Sequence, residues 1–317
     1  MKRKVFIFFI LFLFIFNAYP FWIWSPKTKR WTNPKYSPLV TPFLQFKEAE
    51  KYFEEKKYKE AYNSFKKLVI HYPDSQEAAE AQYYMGRCME ELKKPYQAFL
   101  EYQKVIDRYP NSKRINEIIE RQYNIGEYFL NVPSKKWLGI SVYDFIEHPS
   151  IEIFKKILEK SPYSDYAPVA GYKLGILFLE LRRYDEAKEI FEKVIDNYPE
   201  SEWAIASKYQ IAVATSKAHP ISGYDSTDLK DAEKRLDEFV KRYPNLNISE
   251  EAKSQLVELR EREAKKNFDI AKFYEKQKKY NSAIVYYNII IENYYDTKYY
   301  NLAEERVQYL KNLIEKK

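Results

Sequence analysis
The chain has 317 residues, 45% hydrophobic and 31% charged, a composition that can fold; its 6 Gly argue against sheet-rich folds crowded with tight turns and against glycine-rich phosphate loops. Basic residues (53) exceed acidic ones (46) to give +7, but Lys2, Arg3 and Lys4 supply three of those charges. The rest alternate in sign, as in Glu48, Lys51, Glu54, Glu55, Lys56 and Lys57, which is how a solvated helix face is written and which argues against a nucleic-acid-binding stripe.

After the basic residues 2 to 4 comes an unbroken apolar run, Val5 to Phe16, the length of a signal-peptide core and too short for a typical membrane span. Residues 1–18 therefore read as an export signal. Cutting behind Ala18 puts Phe16 where a small residue is preferred, so the alternative is an uncleaved anchor that extends to about residue 24.

Residues 19–42 hold Phe21, Trp22, Trp24 and Trp31 among Pro20, Pro26, Pro34, Pro38 and Pro42, a segment that cannot be regular helix. It reads either as a spacer between membrane and repeats, or as a tether that docks on a partner or on the chain's own groove; in the second reading Trp22, Trp24 and Trp31 are protein-binding residues.

From Phe43 onward one phrase recurs: an aromatic start, an alanine, an aromatic residue, an aliphatic pair, then Tyr-Pro and a small polar residue. Its copies run Tyr58, Ala61, Phe65, Val69, Tyr72, Pro73, Ser75; then Tyr96, Ala98, Tyr102, Val105, Tyr109, Pro110, Ser112; then Tyr184, Ala187, Phe191, Val194, Tyr198, Pro199, Ser201. Further copies carry Ala232, Leu236, Phe239, Tyr243, Pro244, and Tyr280, Ala283, Tyr287, Ile290, Tyr294, where Tyr295 replaces the proline. Apolar positions three and four apart make one helical stripe, and the proline stops that helix. The Ser or Asp that follows is placed to cap the next helix, whose stripe is rich in Ala and Tyr, as in Ala78, Ala81, Tyr84 and Met85. Such a pair cannot bury its face alone, so stacked neighbours supply the core.

The pattern predicts an all-α solenoid of about six helix pairs (near 43–72, 75–109, 112–161, 165–198, 201–243 and 249–294) and a C-terminal capping helix near 297–316. Insertions fall at about 131–149 and 218–228. The first carries Trp137 and Tyr143, further candidates for exposed aromatic anchors of a protein partner.

These repeats resemble the tetratricopeptide family. From Ser161, Pro162, Tyr163 and Ser164 to about residue 310 the resemblance is more specifically to BamD (ComL), the tetratricopeptide lipoprotein family of outer-membrane β-barrel assembly. It runs through Asp225, Ser226, Thr227 and Ala232, then Leu259, Glu261, Glu263, Ala264, Ala271, Phe273, Tyr274, Asp296 and Thr297. It implies a periplasm-facing, membrane-associated scaffold whose partners are a β-barrel insertase, its accessory subunits or nascent barrel proteins. The family's lipidated cysteine has no counterpart between Met1 and Cys88, so an equivalent anchor would be the leader or a partner. Another envelope adaptor, such as a coordinator of cell-wall synthesis and outer-membrane constriction, is the second reading.

Nothing in the sequence points to catalysis or to a cofactor. His71, His148 and His219 are too far apart to suggest a metal site by spacing, and no nucleophile with a base, zinc-binding histidine pair or Walker-type loop occurs. Cys88, alone in an apolar helical stretch, reads as a small buried residue. The expectation is a protein-binding scaffold without enzymatic activity, metal or small-molecule substrate.

Overall fold
The computed structural model describes residues 23–25, 30–32, 37–132, 136–137, 140–141, 147–218 and 227–315. Within them are thirteen helices: α1 (Pro42–Glu54), α2 (Tyr58–His71), α3 (Ala78–Glu91), α4 (Pro95–Arg108), α5 (Ile115–Asn131), α6 (Pro149–Lys160), α7 (Tyr166–Glu180), α8 (Tyr184–Asn197), α9 (Glu202–Ala218), α10 (Thr227–Arg242), α11 (Asn247–Lys276), α12 (Tyr280–Asn293) and α13 (Tyr299–Glu315). Two short antiparallel ladders accompany them: β1 (Ile23–Ser25) with β2 (Arg30–Thr32), and β3 (Lys136–Trp137) with β4 (Ile140–Ser141).

The chain divides into two compact units, residues 1–149 and 150–317. In the first, each helix from α1 to α5 packs on the next, and α1 also meets α3. In the second, successive helices from α7 to α13 pack in the same way, and α7 meets α9, α9 meets α11, and α11 meets α13. Contacts between neighbours and between next-but-one helices are the pattern of stacked helix hairpins, in which each pair covers the face its neighbour exposes.

The phrase residues form the cores. Ala61, Phe65, Leu68 and Val69 bury against Ala78, Ala81 and Met85 in the first unit. In the second, Ala232, Leu236 and Phe239 bury with Tyr209 and Ala212, and Ala283, Tyr287 and Ile290 with Ala264, Phe268 and Ala271. Close approach within a hairpin depends on glycine at two equivalent places. A Cβ on Gly86 would stand 2.3 Å from the Tyr102 ring, and one on Gly175 2.4 Å from the Phe191 ring. Both rings are fully buried, so neither has room to give way.

A second, polar regularity runs through the first unit. Gln45 donates to the Ser64 carbonyl and hydroxyl (3.3 and 2.6 Å), and Gln82 donates to the Glu101 carbonyl and carboxylate (3.2 and 2.7 Å). Gln122 donates to Gln103 Oε1 at 3.2 Å. Each glutamine is about 1% exposed, so these bonds satisfy amides that burial would otherwise leave unpaired.

The hairpin turns are closed without glycine. Lys56, Lys93, Arg182 and Lys278 have φ of 58, 59, 58 and 63°, the left-handed region in which glycine is usual at a helix end. Two backbone bonds lock each turn, as Lys56 N–H to the Phe53 carbonyl and Lys57 N–H to the Tyr52 carbonyl. At the other end of each repeat, Tyr72, Tyr109, Tyr198 and Tyr294 end their helices with φ between −134 and −129° and ψ between 44 and 58°. Tyr294 keeps this conformation with Tyr295 in the proline's place, so the proline is not what sets it.

The expected capping role of the following serine holds at Ser201, whose Oγ accepts the Ala204 N–H at 3.1 Å at the start of α9, and is corrected at Ser75 and Ser112. The helices after Ser75 and Ser112 begin at Ala78 and Ile115, at N-caps that receive no side-chain bond. Hydroxyls at this place also tie the turn: Ser201 Oγ donates to the Tyr198 carbonyl at 2.8 Å, and Thr297 Oγ1 to the Tyr294 carbonyl at 2.8 Å. In the second copy of the phrase, Pro95 rather than Tyr96 opens the helix, a place where a missing N–H costs nothing.

Candidate functional site
Of the residues singled out by sequence, Trp24 and Trp31 face each other across the β1–β2 ladder, with ring centroids 5.7 Å apart at 62°, and are 45% and 63% exposed. Trp137 belongs to β3, whose backbone pairs it with Ile140. Trp22 and Tyr143 lie outside the described residues. His71 is exposed at the end of α2; burial pushes the pKa of His148 down, and His219 is outside the described residues. Cys88 is fully buried, and burial pushes its thiol up to about 12, as a packing residue requires. Among the described residues no group of His, Cys, Asp and Glu is placed to hold a metal ion, and no helix is long and apolar enough to cross a membrane.

The arrangement that sequence reasoning missed lies in the C-terminal unit, where α10, α11 and α12 enclose an open pocket of about 510 Å³. It is built around Arg260 on α11. Arg260 Nε donates to both Asp296 carboxylate oxygens (3.0 and 2.9 Å), Nη2 to the Asn293 carbonyl (2.8 Å) and to Asp296 Oδ1 (2.6 Å), and Nη1 to Glu233 on α10. The hydrogen bond from Arg260 holds the Asp296 carboxyl below the usual range, outweighing its burial. The guanidinium carbon lies 5.5 Å from the Tyr294 ring and 5.9 Å from that of Tyr295, the residue that departs from the repeat phrase. One side chain thus ties α10, α11 and the turn after α12 together.

Beside this clamp the pocket is lined by Glu263, Lys266, Asn267 and Ile270 from α11 and by Tyr286 and Ile289 from α12, with Lys230 from α10. Tyr286 is braced by a stacked contact with Tyr274, centroids 5.6 Å apart at 14°. Glu263 is 2% exposed, and burial pushes its carboxyl pKa up. Its carboxylate has no hydrogen bond or ion pair among the described residues. No local signal marked these positions: they come from three helices, and Glu263 entered the sequence reading only within a family-like run.

The sequence pattern of the YfiO family of outer membrane lipoproteins matches residues 216–315, about a third of the chain, and a tetratricopeptide repeat pattern matches residues 80–112 and 169–201. The chain is therefore an all-α tetratricopeptide solenoid that resembles BamD over its C-terminal helices. No curated protein matches it. Among solved structures, MamA is 16% identical with a TM-score of 0.34, covering 64% of this chain and 92% of that one. A tetratricopeptide repeat protein from Parabacteroides merdae is 13% identical (TM-score 0.33; 85% and 98% covered). PilW, a type IV pilus biogenesis factor, is 14% identical (TM-score 0.31; 82% and 97% covered).

Proposed function
We propose that the protein is a scaffold of the cell envelope that acts in outer-membrane β-barrel assembly, as its resemblance to BamD implies. The observation that carries this reading is the match to the outer membrane lipoprotein family over residues 216–315, because the same stretch builds the pocket around Arg260. Stacked helix hairpins offer a partner polypeptide a rigid surface, and binding there needs no catalytic group. The leader, residues 1–18, directs export. Trp22, Trp24, Trp31, Trp137 and Tyr143 serve as secondary aromatic anchors, the residue type that contributes most per side chain at protein interfaces.

The test is a photocrosslinking amino acid placed at Tyr286 of the full-length protein in its native envelope, with mass spectrometry of what is captured. Recovery of a β-barrel insertase or its accessory subunits is expected. Repeated capture of cell-wall enzymes with no insertase would overturn the proposal in favour of a scaffold that coordinates cell-wall synthesis with outer-membrane constriction.

A further inference from the structure
Building on the protein-binding reading above, we propose that the pocket between α10, α11 and α12 receives an arginine side chain of the partner polypeptide, and that Glu263 is the residue that selects it.

Donors and acceptors at the pocket are unequally committed. Arg260, the strongest donor at the pocket, has its Nε and both terminal nitrogens committed to Asp296, Glu233 and the Asn293 carbonyl. Asn267 Nδ2 donates to the Glu263 carbonyl at 2.9 Å, and Asn293 Nδ2 donates to the Ile289 carbonyl at 3.1 Å. Each amide thus has one N–H held by its own helix, and its oxygen is an acceptor with no donor among the described residues. Glu263 adds a carboxylate that is almost fully buried and has no partner among the described residues. Acceptors therefore converge on the pocket, and the donors left to meet them are the Lys230 and Lys266 ammonium groups at its border.

Two further features narrow the class of ligand. A guanidinium carries five donors and no acceptor, and it stacks on aromatic rings, so it suits a site with several oxygens beside Tyr286 and the aliphatic walls of Ile270 and Ile289. A buried, unpaired carboxylate is costly, and an incoming cation removes that cost. Burial raises the Glu263 pKa more than the through-space pull of Lys266, Lys230 and Arg262 lowers it, so a cation in direct contact still has a gain to make. Lys230 and Lys266 also border the pocket. Lys230 is exposed and Lys266 half-exposed, and neither forms an ion pair with Glu263 among the described residues. An anion bridging these two lysines is the competing ligand class.

The test titrates the full-length protein with three blocked tripeptides, Ala-Arg-Ala, Ala-citrulline-Ala and Ala-Glu-Ala, following the NMR signals of labelled tyrosine. The arginine peptide is expected to bind at millimolar concentration and to shift the signal of Tyr286, with citrulline about tenfold weaker because it keeps the shape and loses the charge. Glu263→Gln should lower arginine affinity about tenfold with the fold intact, and Glu263→Asp should fall between. Equal or tighter binding of the glutamate peptide, no binding of the arginine peptide, or an unchanged affinity in Glu263→Gln would overturn the proposal. The two readings fail separately. Capture of an insertase at Tyr286 without arginine selectivity sinks only the pocket, whereas arginine selectivity with no envelope assembly partner sinks only the function.

Discussion
In the N-terminal unit Glu117 accepts hydrogen bonds from Tyr83, from Arg114 at 2.9 Å and from Arg121 at 2.9 Å, while Arg114 also reaches Glu80 (2.7 Å) and Arg121 reaches Glu90 (2.9 Å). In the C-terminal unit Glu263 is 2% exposed, and its carboxylate makes no hydrogen bond or ion pair among the described residues, the nearby charges of Lys266, Lys230 and Arg262 acting on it only through space. Glu117 lies on α5 and Glu263 on α11. The difference shows up in titration. Burial pushes the Glu117 carboxyl up, but the bonds from Tyr83, Arg121 and Arg114 outweigh it and hold it at about 2, whereas at Glu263 burial outweighs the opposing pull of Lys266, Lys230 and Arg262 and the carboxyl is raised. A closed set of charges joins α3 to α5 and has no capacity left for a ligand; an open one has capacity and lowers stability until a ligand arrives.

The contrast is broken most strongly by removing the paired carboxylate. Glu117→Ala leaves two guanidiniums and a tyrosine hydroxyl half-buried without their shared acceptor, and should destabilise the N-terminal unit by about 2 kcal/mol in urea unfolding. Glu263→Gln should do the reverse in its own unit at pH 8, because the substitution removes a buried charge and keeps the shape. A loss of stability in Glu263→Gln would mean that the carboxylate has a partner.

Cys88 makes the same contrast readable unit by unit. Its thiol is fully buried on α3, so a thiol reagent reaches it only when the N-terminal unit opens. A loss of about 2 kcal/mol in Glu117→Ala should speed labelling roughly thirtyfold. Glu263→Gln should leave the labelling rate unchanged. Acceleration by both substitutions would show that the units open together.

The pH dependence separates the two glutamates by sign. Glu117 has a folded pKa below the unfolded value, so its contribution is present above about pH 4 and fades as pH falls toward 2; partial exposure limits it to about 1 kcal/mol. Glu263 has a folded pKa above the unfolded value, so its unit is most stable below about pH 4 and loses stability as pH rises through the raised pKa. The groups facing it are Lys266 and Arg262 on its own helix and Lys230 and Glu233 on α10. The gain from Glu263→Gln should therefore vanish at pH 4, which urea titrations at two pH values will show.

The helix stripes, their stops and the capping helix were legible because each is written locally, in apolar spacing and in Tyr-Pro. Ala61, Phe65 and Val69 announce one face, and that face is the buried one. The buried glutamines were not legible, since a single Gln45 or Gln82 reads as surface until its counterpart nineteen positions on is known to sit beneath it. The pocket was least legible. Lys230, Glu263 and Asn293 belong to three helices, and what distinguishes Glu263 is a buried carboxylate without a hydrogen bond or ion pair among the described residues, which no spacing encodes.

The smallest effect tests whether the two units share one frame beneath these differences. Lys56 and Lys93 in the N-terminal unit and Arg182 and Lys278 in the C-terminal unit all have positive φ at the same turn, and none makes a side-chain hydrogen bond or ion pair among the described residues. A side chain there costs roughly 1 kcal/mol in the folded state, and glycine gives back part of that through the unfolded chain, so each change to glycine should stabilise by about 0.5 kcal/mol. Lys93→Gly and Lys278→Gly should raise the urea midpoints of their own units by similar amounts and leave arginine-peptide affinity untouched. A gain in one unit only would mean that the repeated backbone geometry is carried at different energetic cost in the two units.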